Sequence, residues 1–203
     1  GLSADSALWC WGKNNFGLLN DQLTQAMAQR LNISGLGRVR QLVLTKAKAC
    51  ALQLDDSVVC WGTDRFLNDS ERSSHQPLRT VELSASLTDN PPAFTNVHLG
   101  SGFGLATTDA ENNQKTAYAW GFLSTNTNVL WPRVQAVDTG NYLPATADRW
   151  AVSNTAICYR NGTEIGCQGR LGSSLGNWNG ESKVWQNIPA DAEITCGAGH
   201  CCY

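Results

Sequence analysis

Val39-Arg-Gln-Leu-Val-Leu-Thr-Lys-Ala-Lys-Ala-Cys-Ala-Leu-Gln-Leu-Asp-Asp-Ser-Val-Val-Cys-Trp-Gly62 runs through an apolar stretch, a small-residue link, a cysteine, an acidic turn, a second cysteine and a Trp-Gly close. The two ends of the chain read as halves of the same plan. Ile194-Thr-Cys-Gly-Ala-Gly-His-Cys-Cys-Tyr203 supplies the first half, and Gly1-Leu-Ser-Ala-Asp-Ser-Ala-Leu-Trp-Cys-Trp-Gly12 the second. Two further copies follow, one from Phe94 to Ala117-Tyr-Ala-Trp-Gly121 and one over Ala147–Gly169. The closing glycines Gly12, Gly62, Gly121 and Gly169 recur at roughly 50 residues, the period of a four-stranded propeller blade. The repeats therefore predict an all-β, single-domain propeller over residues 1–203 with about four blades: 194–203 plus 1–12, 39–62, 94–121 and 147–169. The N- and C-termini would meet within one blade.

Local patterns agree. Residues 39–44, 49–54 and 58–61 are short apolar or alternating runs broken by small or acidic residues, which is strand grammar. Asn161-Gly162, between Ile157-Cys-Tyr and Ile165-Gly-Cys, signals a hairpin because both residues tolerate positive φ. Only Asp21–Leu31 carries helical spacing, in Leu23, Ala26, Met27 and Leu31. It would be an insertion between strands.

These residues resemble the repeat of the regulator of chromosome condensation family. The resemblance lies in Cys50-Ala-Leu, the acidic turn and Cys60-Trp-Gly, and in Trp11-Gly-Lys-Asn-Asn-Phe-Gly-Leu-Leu. Pro77-Leu-Arg-Thr-Val81 and Pro132-Arg-Val-Gln-Ala-Val137 are similar to the family's Pro-x-x-Val strand. The resemblance implies a β-propeller. The match is degenerate: Gly104 and Ala119 stand at the cysteine positions of the third repeat, and Gln168 replaces Trp in the fourth. The family usually has seven blades where this chain has material for four. The chromatin and GTPase-exchange roles of its founding member are therefore not carried over.

Eight cysteines in 203 residues is high usage. Cys50/Cys60 and Cys158/Cys167 stand at facing hairpin positions, where Cβ atoms come close enough to bridge. Cys10 and Cys202 occupy the matching positions of the joined ends, which leaves Cys196 with Cys201 across Gly197-Ala-Gly-His200. Four disulfides are expected, and with them an oxidising, secreted or cell-surface location. Asn32, Asn68 and Asn161 open Asn-x-Ser/Thr triplets, all in expected loops, and are candidate glycosylation sites. About three such triplets arise by chance in a chain this rich in Asn, Ser and Thr.

A formal net charge of −2 gives no basic footprint for nucleic acid. No apolar run approaches the ~20 residues of a membrane span. No H-E-x-x-H, phosphate loop or nucleophile elbow is present. His75 falls in a polar loop and His98 in an apolar strand. The acidic residues Asp55-Asp56 and Asp109–Glu111 fall at turns, where carboxylates usually serve the turn.

The one cluster of metal-ligating types is Cys196-x-x-x-His200-Cys201-Cys202. Neighbouring strand residues point to opposite faces, so disulfide is expected there rather than metal, and no cofactor is expected at all. Trp11, Trp61 and Trp120 recur before closing glycines as packing residues. Trp178, in Gly176-Asn-Trp-Asn-Gly180, is the candidate exposed contact.

The expected function is non-enzymatic. The first reading is an extracellular structural subunit of a self-assembling fibre or cell coat, linked head to tail through the shared blade by strand donation. The alternative is a secreted protein- or glycan-binding propeller module of the inhibitor or receptor-ectodomain type. Self-association is the partner expected from the first reading, and a protein or glycan ligand from the second.

Overall fold

The computed structural model describes residues 8–10, 18, 29–30, 36–45, 47–62, 76–110, 113–123, 129–137, 143–170 and 183–203. A short antiparallel pair comes first, β1 (Trp9–Cys10) with β2 (Gln29–Arg30). A four-stranded antiparallel sheet follows, ordered β3 (Val39–Leu44), β4 (Lys48–Gln53), β5 (Val58–Gly62) and β6 (Gln76–Thr80). One turn of helix, α1 (Ala85–Thr88), leads to the second sheet. That sheet is β7 (Asn96–Leu99), β8 (Phe103–Asp109), β9 (Lys115–Leu123) and β10 (Val129–Ala136). A short β11 (Thr146–Ala147) pairs with β9. The third sheet is β12 (Arg149–Val152), β13 (Ala156–Asn161), β14 (Glu164–Gly169) and β15 (Lys183–Trp185). A hairpin of β16 (Thr195–Cys196) and β17 (Cys201–Cys202) follows.

The first strands of successive sheets touch in series, β3 with β7, β7 with β12 and β12 with β16. Gln41 ties the first contact by a two-way amide bond: its Nε2 donates to the Val97 carbonyl at 3.1 Å, and its Oε1 accepts from Val97 N–H at 2.8 Å. The apolar cores alternate with the sheets. Cys50, Leu52, Cys60, Phe94, Val97 and Trp120 fill the space between the first and second sheets. Phe103, Leu105, Trp150, Ile157 and Tyr159 fill the space between the second and third. Cys158, Ile165, Cys167 and Ile188 meet the terminal hairpin in a further core. Every residue of β4 and β5 is buried, so these strands are covered on both faces, and their continuous apolar runs follow from that. Each fully buried large side chain contributes about 1.5–3 kcal/mol.

The closing glycine has a backbone reason. Gly62, Gly121 and Gly169 have φ of 109°, 92° and 121°, a region closed to residues with a Cβ. A Cβ at each would strike a carbonyl oxygen of the turn joining the first two strands of its own sheet: Ala47, Gly102 and Thr155.

Several expectations change. Gln29 and Arg30, at the end of the segment read as helical, are extended and paired with β1. A strand partner outweighs the weak helical preference of a segment this short; the rest of that segment lies outside the described residues. The hairpin turn after β13 centres on Gly162-Thr163 rather than Asn161-Gly162. Asn161 pairs with Glu164, and Gly162 carries the positive φ. In the second sheet the position matching Cys50 is Leu105, facing Ala119, whereas Gly104 faces Trp120. Gly104 is needed because the Trp120 ring lies where its Cβ would be.

Three of the four expected bridges are formed: Cys50–Cys60, Cys158–Cys167 and Cys196–Cys201. The fourth is not. Cys202 is a free, exposed thiol, because β17 pairs only with β16 among the described residues while Cys10 lies on β1 beside β2.

Candidate functional site

The turns joining the first two strands of successive sheets are bonded to one another at one end of the molecule. Lys48 Nζ donates to Ser101 O at 2.5 Å, Ser101 N–H to Asn154 O at 2.7 Å, and Asn154 N–H to Ala198 O at 3.2 Å. Asn154 of this relay lines an open cavity of about 280 Å³, together with Thr45, His98 and Ser153. Partial burial, with the Lys115 charge adding in the same direction, holds the His98 imidazole down at about 4. It is a neutral hydrogen-bonding group at physiological pH.

A second cavity, of about 270 Å³, lies at the opposite end of the strands between the first and second sheets. The acidic turn Asp55–Val58 forms one wall, and Thr80, Val81 and Leu83 form another. The Pro91-Pro92-Ala93-Phe94 segment closes it, with Trp120 and Val134 as the floor. The floor is apolar because Trp120 and Val134 belong to the buried core between these two sheets. The rim is acidic and ordered. Asp55 Oδ1 accepts from Ser57 Oγ at 2.7 Å and Ser57 N–H at 3.1 Å, and these bonds lower its carboxyl below the ordinary range. Asp56 pairs with Arg40 at 2.7 Å, and the same guanidinium donates to the Phe94 carbonyl, locking the two walls together. The buried Trp120 indole N–H has no hydrogen-bond partner among the described residues. By contrast, the Trp61 and Trp150 indoles donate at 3.0 Å to the carbonyls of Leu18 and Lys115. Among the described residues Trp120 alone of the three has an indole N–H without a partner, and that N–H is buried.

The sequence placed Asp55 and Asp56 at a turn and Trp120 in the packing, and both placements hold. It did not bring them together, because the Pro91–Phe94 wall arrives from a connection without motif character. The cavity could be sought only through the inter-sheet contact. Asn161 is half-buried, its Oδ1 accepting from Gln114 Nε2 at 3.4 Å. Asn32, Asn68, His75 and Trp178 lie outside the described residues. Among described residues the one cluster with metal-ligand geometry is Cys158, Cys196 and Cys201, whose sulfurs lie within 4.8 Å of one another. His200 is exposed and Cys202 is not part of the cluster.

Successive four-stranded antiparallel sheets with touching first strands and alternating cores define a β-propeller, and its fold is RCC1-like. Human WBSCR16 superposes with a TM-score of 0.72 at 12% identity, over 98% of this chain and 53% of that one. Prp20p from Saccharomyces cerevisiae, studied for its binding to Gsp1p and histones, gives 0.67 at 13% identity, over 97% of this chain and 51% of that one. Yeast RCC1 (Prp20) bound to Kap60 gives 0.67 at 14% identity, covering 98% and 49%. The chain thus spans about half the length of these structures. No protein-family model matches the sequence, and no curated protein matches it. Three disulfides are consistent with an extracellular protein. Among the described residues no helix is long and apolar enough to cross a membrane.

Proposed function

We propose that the chain is a secreted, non-enzymatic propeller module that binds a protein ligand through the cavity between its first two sheets. The observation that carries this is the union of an apolar floor and an ordered acidic rim at one opening. An apolar anchor in a pocket with a few fixed polar groups is the usual anatomy of a binding hot spot. The complementary ligand is a polypeptide segment that inserts an apolar side chain and places Lys or Arg beside Asp55. The named solved relatives support protein binding as a class: Prp20p with Gsp1p and histones, and yeast RCC1 with Kap60.

Selection of displayed random peptides on the immobilised chain tests this. The expected consensus is an apolar residue next to a basic one, with affinity falling at least about tenfold in Ala93→Arg, which fills the cavity, and in Asp55→Lys. Selected peptides indifferent to both substitutions would contradict it.

A second reading, assembly, is favoured by one observation. Cys202 on β17 occupies the position that Cys50 holds on β4 and Cys158 on β13, yet it is free and exposed. Under this reading a fourth blade is completed when a strand carrying Cys10 pairs with β17 and the two sulfurs bond between copies. A reducible ladder on gels, lost in Cys10→Ser, is its expected result. A single monomer band in the wild type would end it. Glycans at Asn32, Asn68 and Asn161 belong to the same secreted reading, and peptide mass mapping before and after deglycosylation checks them.

A further inference from the structure

The third sheet and the terminal hairpin each bring two cysteine sulfurs to their common boundary. Cys158 Sγ lies 3.4 Å from Cys201 Sγ, although the two belong to different disulfides. Cys196 joins them, with all three sulfurs within 4.8 Å of one another. Cys167, bonded to Cys158, lies outside that set of three and would have to swing in on reduction to supply the fourth sulfur. Tetrahedral zinc with Zn–S bonds of about 2.3 Å places its sulfurs roughly 3.8 Å apart, a spacing within the range already present.

The local geometry fits as well. Cys196-Gly-Ala-Gly-His-Cys201 is a C-x₄-C segment on a tight hairpin, a spacing found in structural zinc sites. Its turn is closed by Gly197 N–H donating to His200 O at 2.8 Å. The surroundings are apolar, formed by Ile165, Trp185 and Ile194 around a cavity of about 90 Å³. Lys183 stands opposite Cys167 on the adjoining strand, its ammonium 5.3 Å from the Trp185 ring centroid.

We propose that the chain, once these two bridges are reduced, holds one zinc ion on Cys158, Cys167, Cys196 and Cys201, clamping the third sheet to the terminal hairpin. The site would be closed and structural, with four thiolates and no open position. Each disulfide takes up two electrons and two protons to give two thiols. A phosphine supplies the electrons and becomes its oxide, its oxygen and the two protons coming from water. Zinc then displaces the thiol protons, so loading acidifies an unbuffered solution. The sequence motif around His200 pointed to a local cluster. The structure instead brings Cys158 of the neighbouring sheet against Cys196 and Cys201.

The test uses the full chain, reduced with a phosphine under anaerobic conditions and titrated with cobalt(II), then zinc(II). One cobalt per chain is expected, with thiolate charge-transfer absorption and the intense visible bands of tetrahedral cobalt, bleached by zinc. Cys201→Ser and Cys158→Ser should each weaken zinc by more than about 100-fold, beyond the 10–100-fold that outer-shell changes cost. The double variant Cys50→Ser/Cys60→Ser should bind normally. No tetrahedral band, or a band that survives Cys158→Ser but is lost in Cys202→Ser, overturns the proposal. Zinc-edge X-ray absorption of the wild-type complex needs no variant that must fold. Four sulfur neighbours at about 2.3 Å support the site, and two or fewer refute it.

Discussion

The second sheet and the two sheets flanking it solve one packing problem in different ways. In the first and third, the position at the middle of the second and third strands is a disulfide, Cys50–Cys60 and Cys158–Cys167. In the second, the same register holds Leu105 against Ala119, both fully buried. All three pairs face the next core along the series. A covalent bond limits the unfolded chain, whereas Leu105 contributes through burial and contact in the folded one. The propeller therefore does not depend on the bridge at this position, provided that a large residue and a small one fill the space together.

Truncating Leu105 to Ala should break the second sheet's solution most strongly, lowering stability by about 2–5 kcal/mol because the cavity lies in a core shared with the third sheet. Urea unfolding measures it, and a loss below about 1 kcal/mol would mean that the pair is not the packing equivalent of a bridge. Removing the bridge of the first sheet with Cys50→Ala/Cys60→Ala opens a loop of separation 10 and should cost about 2–3 kcal/mol by chain entropy. The same denaturant titration, run against the Leu105 variant, orders the two solutions directly.

Gly121→Ala probes what the sheets share. Its φ of 92° and the carbonyl of Gly102 in the path of a Cβ should cost about 1–3 kcal/mol, and Gly62→Ala in a bridged sheet should cost as much. A clear difference between the two would show that the bridge, not the backbone, sets the turn.

Acid sensitivity separates the sheets further. His98 faces Leu105 where Val43 faces Cys50 and Ala151 faces Cys158. Its folded pKa of about 4 lies below the ordinary 6.5, so the unfolded state binds more protons between those values. Its share of stability is fully present above pH 6.5 and is lost as pH falls toward 4. With its partial exposure discounted, the loss is about 1–2 kcal/mol. Thermal melts of the wild type and His98→Gln should converge with this sign as pH falls, and parallel curves would contradict it. The smallest effect is expected from Leu105→Cys/Ala119→Cys. The new bridge regains roughly what the lost leucine removes, and net stability should stay within about 1 kcal/mol. Failure of that bridge to form would show that the register differs from that of the flanking sheets.

The central strands of each blade were legible because their cysteines, acidic turns and closing glycines are tied to single backbone positions. Gly62, Gly121 and Gly169 could be read from sequence since no other residue accepts that φ at low cost. The outermost strands were harder. β6 and β10 showed only through their resemblance to a Pro-x-x-Val strand, and the three residues of β15 are too few to carry a period. The one-residue offset at Gly104 arose because a small residue under Trp120 reads like a substituted cysteine. The pairing of Cys10 with Cys202 followed repeat alignment, which registers equivalent positions but not which strands meet. The cavity beside Asp55 and the cluster of Cys158, Cys196 and Cys201 were illegible for a common reason: each is made where two sheets touch, between residues far apart in the chain.

Non-reducing peptide mapping with alkylation of free thiols tests the account most directly, since it reads the register of the first sheet, the third sheet and the terminal hairpin at once. The account predicts Cys50 linked to Cys60, Cys158 to Cys167 and Cys196 to Cys201, each as one fragment, with Cys202 alkylated in the monomer. Free thiols at Cys50 and Cys60, or a crossed Cys158–Cys201 bridge in the untreated protein, would contradict it.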